Sequence, residues 1–408
     1  MKISGVILPG VCACLKRFRQ AQAPLFFILA LLLTNTVVFA GEPPEVEAIG
    51  AILIDGRTGR VLWGKNAEKP LPMASTTKIM TAVITLERGN LDDEVTASAR
   101  AAAAPEVNMN LRRGEKIKLR DLLYALMLQS SNDAAVAIAE HIGGDVETFC
   151  AMMTEKAREL GSDASFFTPN GLDAPGHEAS ARDMAIIARY ALQNRKFLEI
   201  IGTRTYSSKS SLTERFLVNK NRLLSEYDGA IGVKTGFTGK AGNCFVGAAE
   251  RGDKRLISVV LGSGWGPRGR EQKWRDTKAI LNYGFKNFEY ADILEKGRLA
   301  GKTGVSRSRA RTVYFAPGDG VTLPLSPEER AACRVDFIYP ETLRAPVRDG
   351  DRVGKAVVRV NGVKEAEAGL YAITGAERHD LKTSAEKVLE AFFGMGTKGE
   401  VEVVLPEF

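Results

Sequence analysis

The chain has 408 residues, 45% hydrophobic and 26% charged, the balance of an ordinary globular protein with enough length for a sizeable core and two or more domains. Its net charge of +7 includes Lys2, Lys16, Arg17 and Arg19, which stand in the first 40 residues with no acidic residue among them. Removing those four charges leaves +3, a mild basicity that gives no case for nucleic-acid binding.

Those first 40 residues continue with the apolar run Pro24 to Leu33 and with Val38-Phe39-Ala40 before the polar Gly41-Glu42. The pattern predicts a secretory signal peptide cut after Ala40, which places the mature protein beyond the cytoplasmic membrane, periplasmic or on the membrane's outer face. An uncleaved anchor is the alternative, because Pro24 to Ala40 approaches spanning length. Cys12 and Cys14 leave with the signal. The remaining Cys150, Cys244 and Cys333 imply no disulfide framework, only buried thiols or one optional bridge. No CxxC or His-rich spacing proposes a metal, no cofactor is expected, and His141, His177 and His379 read as structural.

In chain order, Ala51 to Asp55, the turn Gly56 to Gly59 and Val61 to Trp63 predict a hairpin. Ile79, Met80, Val83, Ile84 and Leu86 recur at helical spacing, so residues 76–88 should form a helix ending near Gly89-Asn90, with Ser75 at its mouth. Residues 119–128 and 134–142 read as two helices with Ser130 in the break between them. A further helix covers 181–192, and strands cover Ile231 to Thr235, Asn243 to Ala249 and Leu256 to Gly262, the last two joined at Gly252-Asp253.

A helix over Arg275 to Phe285 closes this first region, 41–286, after which short alternating strands run from about 287 to 375 and mark a second, mostly β domain. Its strongest local signal is Asn361-Gly362 between Lys355 to Val360 and Val363 onward. In the remaining 376–408, Leu381, Ala385, Val388, Leu389, Phe392 and Phe393 form an amphipathic stripe. The stripe suits either packing on its own domain or a peripheral membrane contact, although Glu386 and Glu390 dilute the basic character of interfacial helices.

Three short motifs carry the chemistry: Ser75-Thr-Thr-Lys78, Ser130-Ser-Asn132 and Lys234-Thr235-Gly236. A serine hydroxyl needs a base in reach, a proton route to the leaving amine and a clamp on the substrate. Ser75 at a helix start can offer its own N–H to developing negative charge. Lys78, one turn on, can reach the hydroxyl, and burial beside a second cation such as Lys234 would lower its pKa enough for it to act as base. Gly236, lacking a side chain, lets a substrate backbone lie along the strand edge. Two of the motifs recur: Ser384-x-x-Lys387 falls in the tail, and Lys302-Thr-Gly304 reads as a solvated loop. Ser130-x-Asn132 is the only Ser-x-Asn in the chain, and its company singles out Ser75 and Lys234.

Together with Pro72 to Thr81, Ser131-Asn-Asp-Ala134, Asn170-Gly-Leu-Asp173-Ala-Pro-Gly176 and Lys234 to Gly242, these motifs resemble the serine D-alanyl-D-alanine carboxypeptidases, the low-molecular-mass penicillin-binding proteins of peptidase type S11. The resemblance implies an α+β transpeptidase-like catalytic domain, an antiparallel sheet flanked by helices, followed by a smaller β-rich domain. It implies hydrolysis of peptidoglycan stem peptides ending in D-Ala-D-Ala, with β-lactam antibiotics as inhibitors. Ser75 would be acylated, Lys78 would be its base and Ser130 would relay the proton. Asn132 would orient the substrate amide, Lys234 would set the electrostatics, Thr235 would bind the terminal carboxylate and the Phe237 N–H would join the oxyanion hole. Arg270 matches a family arginine near the carboxylate site, where a fixed guanidinium suits carboxylate recognition, and is otherwise a surface arginine. Lys220 and Phe237 stand where some members carry arginine and histidine.

Rival readings are an endopeptidase of peptide cross-links, a class A β-lactamase and a non-catalytic wall-binding protein. The β-lactamase would need a deacylating glutamate before the third motif, and the comparable loop offers Asp173. The three chemically intact motifs argue against a relic site.

Overall fold

The computed structural model describes residues 41–379 except Glu106, together with Ala385, Val388 and Leu389; the signal-like segment 1–40, Leu381, Phe392 and Phe393 of the stripe, and the tail pair Ser384 and Lys387 lie outside the described residues. Two strands open the fold, β1 (Gly50–Asp55) and β2 (Val61–Lys65), joined as the expected hairpin. Two small hairpins, β3 (Glu94–Thr96) with β4 (Lys116–Lys118) and β5 (Thr205–Lys209) with β6 (Glu214–Val218), border the helical region. The main sheet is completed by β7 (Ala230–Thr238), β8 (Gly242–Arg251) and β9 (Lys254–Leu261), antiparallel throughout in the order β2-β1-β9-β8-β7. β7 is therefore an edge strand, and its outer side is free to meet something other than a sixth strand.

Helices cover both faces because both faces are apolar. β8 is buried from Gly242 to Ala249, the mark of a strand covered on two sides. One face packs on the helices between β2 and β7, chiefly α1 (Lys78–Arg88), α2 (Leu119–Leu128), α3 (Asn132–Gly143) and α4 (Ala181–Ala191). The other receives Trp274, Ile280 and Leu281 of α5 (Gly266–Asn287) against Phe245, Leu256 and Val260. Helix α5 starts nine residues before the expected Arg275. Pro267 in its first turn fits a helix start, and Gly269 is required inside it, because a Cβ there would stand 2.2 Å from the carbonyl carbon of Gly264.

The β-rich C-terminal part holds a six-stranded sheet and a two-stranded one around a separate core that includes Val313, Phe315, Val358 and Leu370. Asn361 and Gly362 take φ of 51° and 80°, as a type I′ hairpin turn demands. Lys302 corrects an expectation: it is exposed, but it lies on a strand, Gly301–Ser306, paired with Thr312–Pro317, because Val305 and Phe315 need that pairing to reach the core. Arg60 joins the two parts. Its side chain is nearly buried and donates to Pro324 O (2.9 Å), to both oxygens of Glu329 (2.8 and 2.9 Å) and to Glu365 (3.2 Å). No helix among the described residues is long and apolar enough to cross a membrane.

Candidate active site

Ser75 lies in a single 3-10 turn, Ala74–Thr77, that leads directly into α1 at Lys78; the expected helix over 76–88 is thus split, with its first turn tightened. Thr76 Oγ1 donates to Met73 O at 2.6 Å and ties the turn down. Three residues of tight helix bring Lys78 Nζ to 2.9 Å from Ser75 Oγ. Lys78 is fully buried while Ser75 is half-buried, so the hydroxyl faces the cleft and the amine faces the core.

Lys78 Nζ has two other neighbours, Asn132 Oδ1 at 2.8 Å and the main-chain oxygen of Asn170 at 2.5 Å. Both can only accept. A neutral amine has two N–H groups and one lone pair, so donation to these two oxygens leaves the lone pair for the Ser75 hydroxyl. Burial pushes the Lys78 amine well below the usual lysine range, the nearby Lys234 cation lowers it further, and Asp133 opposes both. The neutral form that this geometry needs is the form that burial favours.

Asn132 is held by its surroundings. Its Nδ2 donates to Pro105 O (3.0 Å) and its main-chain N–H to Val107 O (2.6 Å), which leaves Oδ1 for Lys78. Ser130 sits in the interhelical break with φ of 69°, half-buried, and its hydroxyl has no hydrogen-bond partner among the described residues. The third motif runs along β7. A Cβ added to Gly236 would stand 2.9 Å from Ser75 N and 3.1 Å from Thr76 N, so the bare edge of β7 abuts the Ser75 turn. Lys234 is buried and donates to Thr235 O at 2.9 Å; burial, with Lys220 and Lys273 adding repulsion, lowers it to about 7. Thr235 is half-buried, and Phe237 stands 54% exposed on the strand's outer end. Arg270 lies exposed on α5, where its side chain has no hydrogen bond among the described residues. Ser75, Lys78, Asn132, Lys234 and Gly236 are thus brought together; the side chains of Ser130, Thr235, Phe237 and Arg270 are not bonded into that cluster.

Sequence reasoning missed the part played by the segment before α4. Asn170 O accepts from Lys78 and lies 3.3 Å from Ser75 Oγ, while Pro169 O accepts from Thr81 Oγ1 at 2.6 Å. A main-chain carbonyl has no residue signature. Gly171 was the available clue: it takes φ of 82°, and a Cβ there would lie 2.1 Å from Ala74 O. Asp173 accepts from Thr238 Oγ1 at 2.8 Å and serves to tie this segment to β7. Among the described residues no three His, Cys, Asp or Glu side chains converge as metal ligands, and Cys150, Cys244 and Cys333 are free thiols.

Comparison with known proteins places the chain in a family. Residues 37–264 match the family model described as D-alanyl-D-alanine carboxypeptidase, peptidase S11, and residues 288–378 match that of the penicillin-binding protein 5 C-terminal domain. The chain is 32% identical over 334 residues to the D-alanyl-D-alanine carboxypeptidase DacF of Bacillus subtilis, covering 80% of this chain and 85% of that one. It is 34% identical over 338 residues to DacD of Escherichia coli, covering 79% and 84%. Among solved structures, penicillin-binding protein 5 of Haemophilus influenzae superposes with a TM-score of 0.69 at 29% identity, covering 82% of this chain and 99% of that one. A chain of this length, with this site and these relatives, belongs to the serine D-alanyl-D-alanine carboxypeptidase family.

Proposed function

We propose that the protein removes the terminal D-alanine from peptidoglycan stem peptides ending in D-Ala-D-Ala through an acyl-enzyme on Ser75, and that penicillins acylate the same hydroxyl. The observation that carries this reading is the buried amine of Lys78, which lies 2.9 Å from Ser75 Oγ, 2.8 Å from Asn132 Oδ1 and 2.5 Å from Asn170 O; in its neutral form it can donate to the last two oxygens and keep its lone pair for the Ser75 hydroxyl.

Lys78 takes the Ser75 proton as Oγ adds to the carbonyl carbon of the penultimate D-alanine. The oxyanion is met by the N–H groups of Ser75 and Phe237, which the approach of Gly236 to the Ser75 turn holds on one side of the cleft. The C–N bond then breaks, and the proton on Lys78 reaches the departing amine through the Ser130 hydroxyl. Water adds to the ester, its proton returns by the same base, and Ser75 is regenerated. Asn132 orients the substrate amide. Lys234, Thr235 and Arg270 supply the positive and hydrogen-bonding field for the terminal carboxylate.

Such a substrate lies outside the cytoplasmic membrane, which agrees with the leader-like residues 1–40 as a cleaved signal; the C-terminal stripe would add a peripheral membrane contact. Residues 41–286 form the catalytic domain in this account, and 287–375 a β domain fixed to it through Arg60. The test is release of free D-alanine from a peptide ending in D-Ala-D-Ala, with Ser75→Ala alongside. Release that depends on Ser75 supports the proposal. No release by a protein that still binds penicillin covalently would point to cross-linked peptide as the substrate.

A further inference from the structure

His177 joins two segments that must stay in contact for Lys78 to keep its environment. Its ring is 3% exposed, with Nδ1 3.0 Å from Phe167 N and Nε2 2.9 Å from Thr77 Oγ1. The Phe167 N–H can only donate, so Nδ1 must be the acceptor. The ring proton therefore sits on Nε2 and is donated to Thr77, the residue before Lys78.

Between Phe167 and His177 the chain makes a loop whose ends the imidazole closes and whose middle carries the carbonyls of Pro169 and Asn170. Thr168 Oγ1 donates to Leu172 O at 3.1 Å, and Leu172 N donates to Asn170 Oδ1 at 3.1 Å, so the loop is internally stiff. The imidazole holds the stem of this loop, while Thr81 Oγ1 on Pro169 O and Thr238 Oγ1 on Asp173 hold its body; losing the imidazole frees the stem, and the stiffness of the loop carries that displacement to Asn170.

We infer that His177 is a positioning residue for the hydrolytic reaction: by bonding both Phe167 and Thr77 it keeps the Asn170 carbonyl on Lys78 Nζ and water away from that amine. The inference rests on the assignment of Ser75 and Lys78 above. Without the imidazole, the Phe167 N–H and the Thr77 hydroxyl lose their buried partners, and the loop shifts toward water to satisfy them. Lys78 then regains hydration, and its pKa climbs back toward that of an ordinary lysine. The base would be protonated at pH values where it now works. Burial also holds His177 itself down to about 4, with Asp173 opposing, so the neutral ring persists through the working range. The charged groups acting on Lys78 are Lys234 and Asp133, and neither belongs to the loop.

The experiment measures the rate of acylation by a fluorescent penicillin from pH 5 to 10 for the full-length protein, His177→Leu, His177→Gln and His177→Asn, with folded fraction and Tm in parallel. His177→Leu should move the acid limb upward by about one pH unit, which is about a tenfold slower reaction at any pH below the limb. His177→Asn, which restores an acceptor near Phe167, and His177→Gln, which restores a donor near Thr77, should each fall between Leu and the native protein. A limb that stays in place in His177→Leu, at equal folded fraction and whatever the loss of Tm, would overturn the inference and leave a purely structural histidine. Should His177→Leu fail to fold, Thr77→Val removes the other partner and carries the same expectation. Penicillin labelling that survives Ser75→Ala would overturn the Ser75 assignment and this inference with it; labelling through Ser75 with an unmoved limb overturns the inference alone.

Discussion

Lys78 Nζ stands 2.5 Å from the main-chain oxygen of Asn170, a contact between residues 92 positions apart that joins the catalytic helix to the loop preceding α4. The proposed base of this site is thus shaped by two segments at once. Its basicity is set by burial and by a second lysine on β7, and those two causes can be separated by mutation.

Lys234→Met should move the acid limb of acylation to higher pH, because removing the nearby cation lets Lys78 hold its proton more tightly. The same change should alter the pH dependence of stability. Lys234 titrates near 7 when folded against 10.5 in its unperturbed state, so between these values the unfolded chain binds the extra proton. Stability therefore rises with pH across that window, by about 1.4 kcal/mol per unit from this group alone. Denaturant melts at pH 7 and pH 9 should show that slope in the native protein and a shallower one in Lys234→Met.

Gly236→Ala should abolish acylation while leaving a folded protein. A Cβ at 2.9 Å from Ser75 N has no flexible neighbour to displace, so β7 must retreat from the nucleophile's turn. Circular dichroism and penicillin labelling together check this. Gly171→Ala should cost more in stability, about 2 kcal/mol or beyond, because it combines a positive φ with a clash against Ala74 O.

Arg60→Ala should loosen the β domain without slowing chemistry on a small substrate. Arg60 is the hub between Pro324 O, Glu329 and Glu365, and its loss leaves two carboxylates without their cation. Both glutamates are about a fifth exposed, so the cost is about 1–3 kcal/mol, below that of a fully buried pair. Limited proteolysis near residues 286–289 should accelerate, while the rate of penicillin labelling should stay within about twofold, since Arg60 lies outside the network around Lys78.

Cys333 should be the first of the three described thiols to react with a disulfide reagent in the native protein. Burial raises Cys150 and Cys244 to about 12, whereas Cys333 is only half-buried. Mass spectrometry after brief labelling would locate the modified residue.

Much of this architecture was legible because local signals and global packing agree. The Asn361-Gly362 turn, the apolar spacing of Ile79 to Leu86 and the break at Ser130 each specify their element locally. The start of α5 was hidden because Gly266, Pro267 and Gly269 read as breakers, while tertiary packing against Gly264 makes a glycine necessary there. Lys302 looked like a loop residue because its neighbours are polar; pairing with the Phe315 strand decides otherwise. In the site, the meeting of Ser75, Lys78 and Asn132 follows from motif spacing, but the carbonyl of Asn170 and the two-ended bond of His177 arise only when the loop is folded back on α1.

Whether Ser75 is the nucleophile is decided by the location of the covalent adduct. The purified protein is incubated with a penicillin, digested, and the modified peptide sequenced by mass spectrometry. A single acyl group is expected on Ser75, absent from Ser75→Ala. An adduct on Ser130, Ser384 or any other residue, or one that persists after Ser75→Ala, would contradict it.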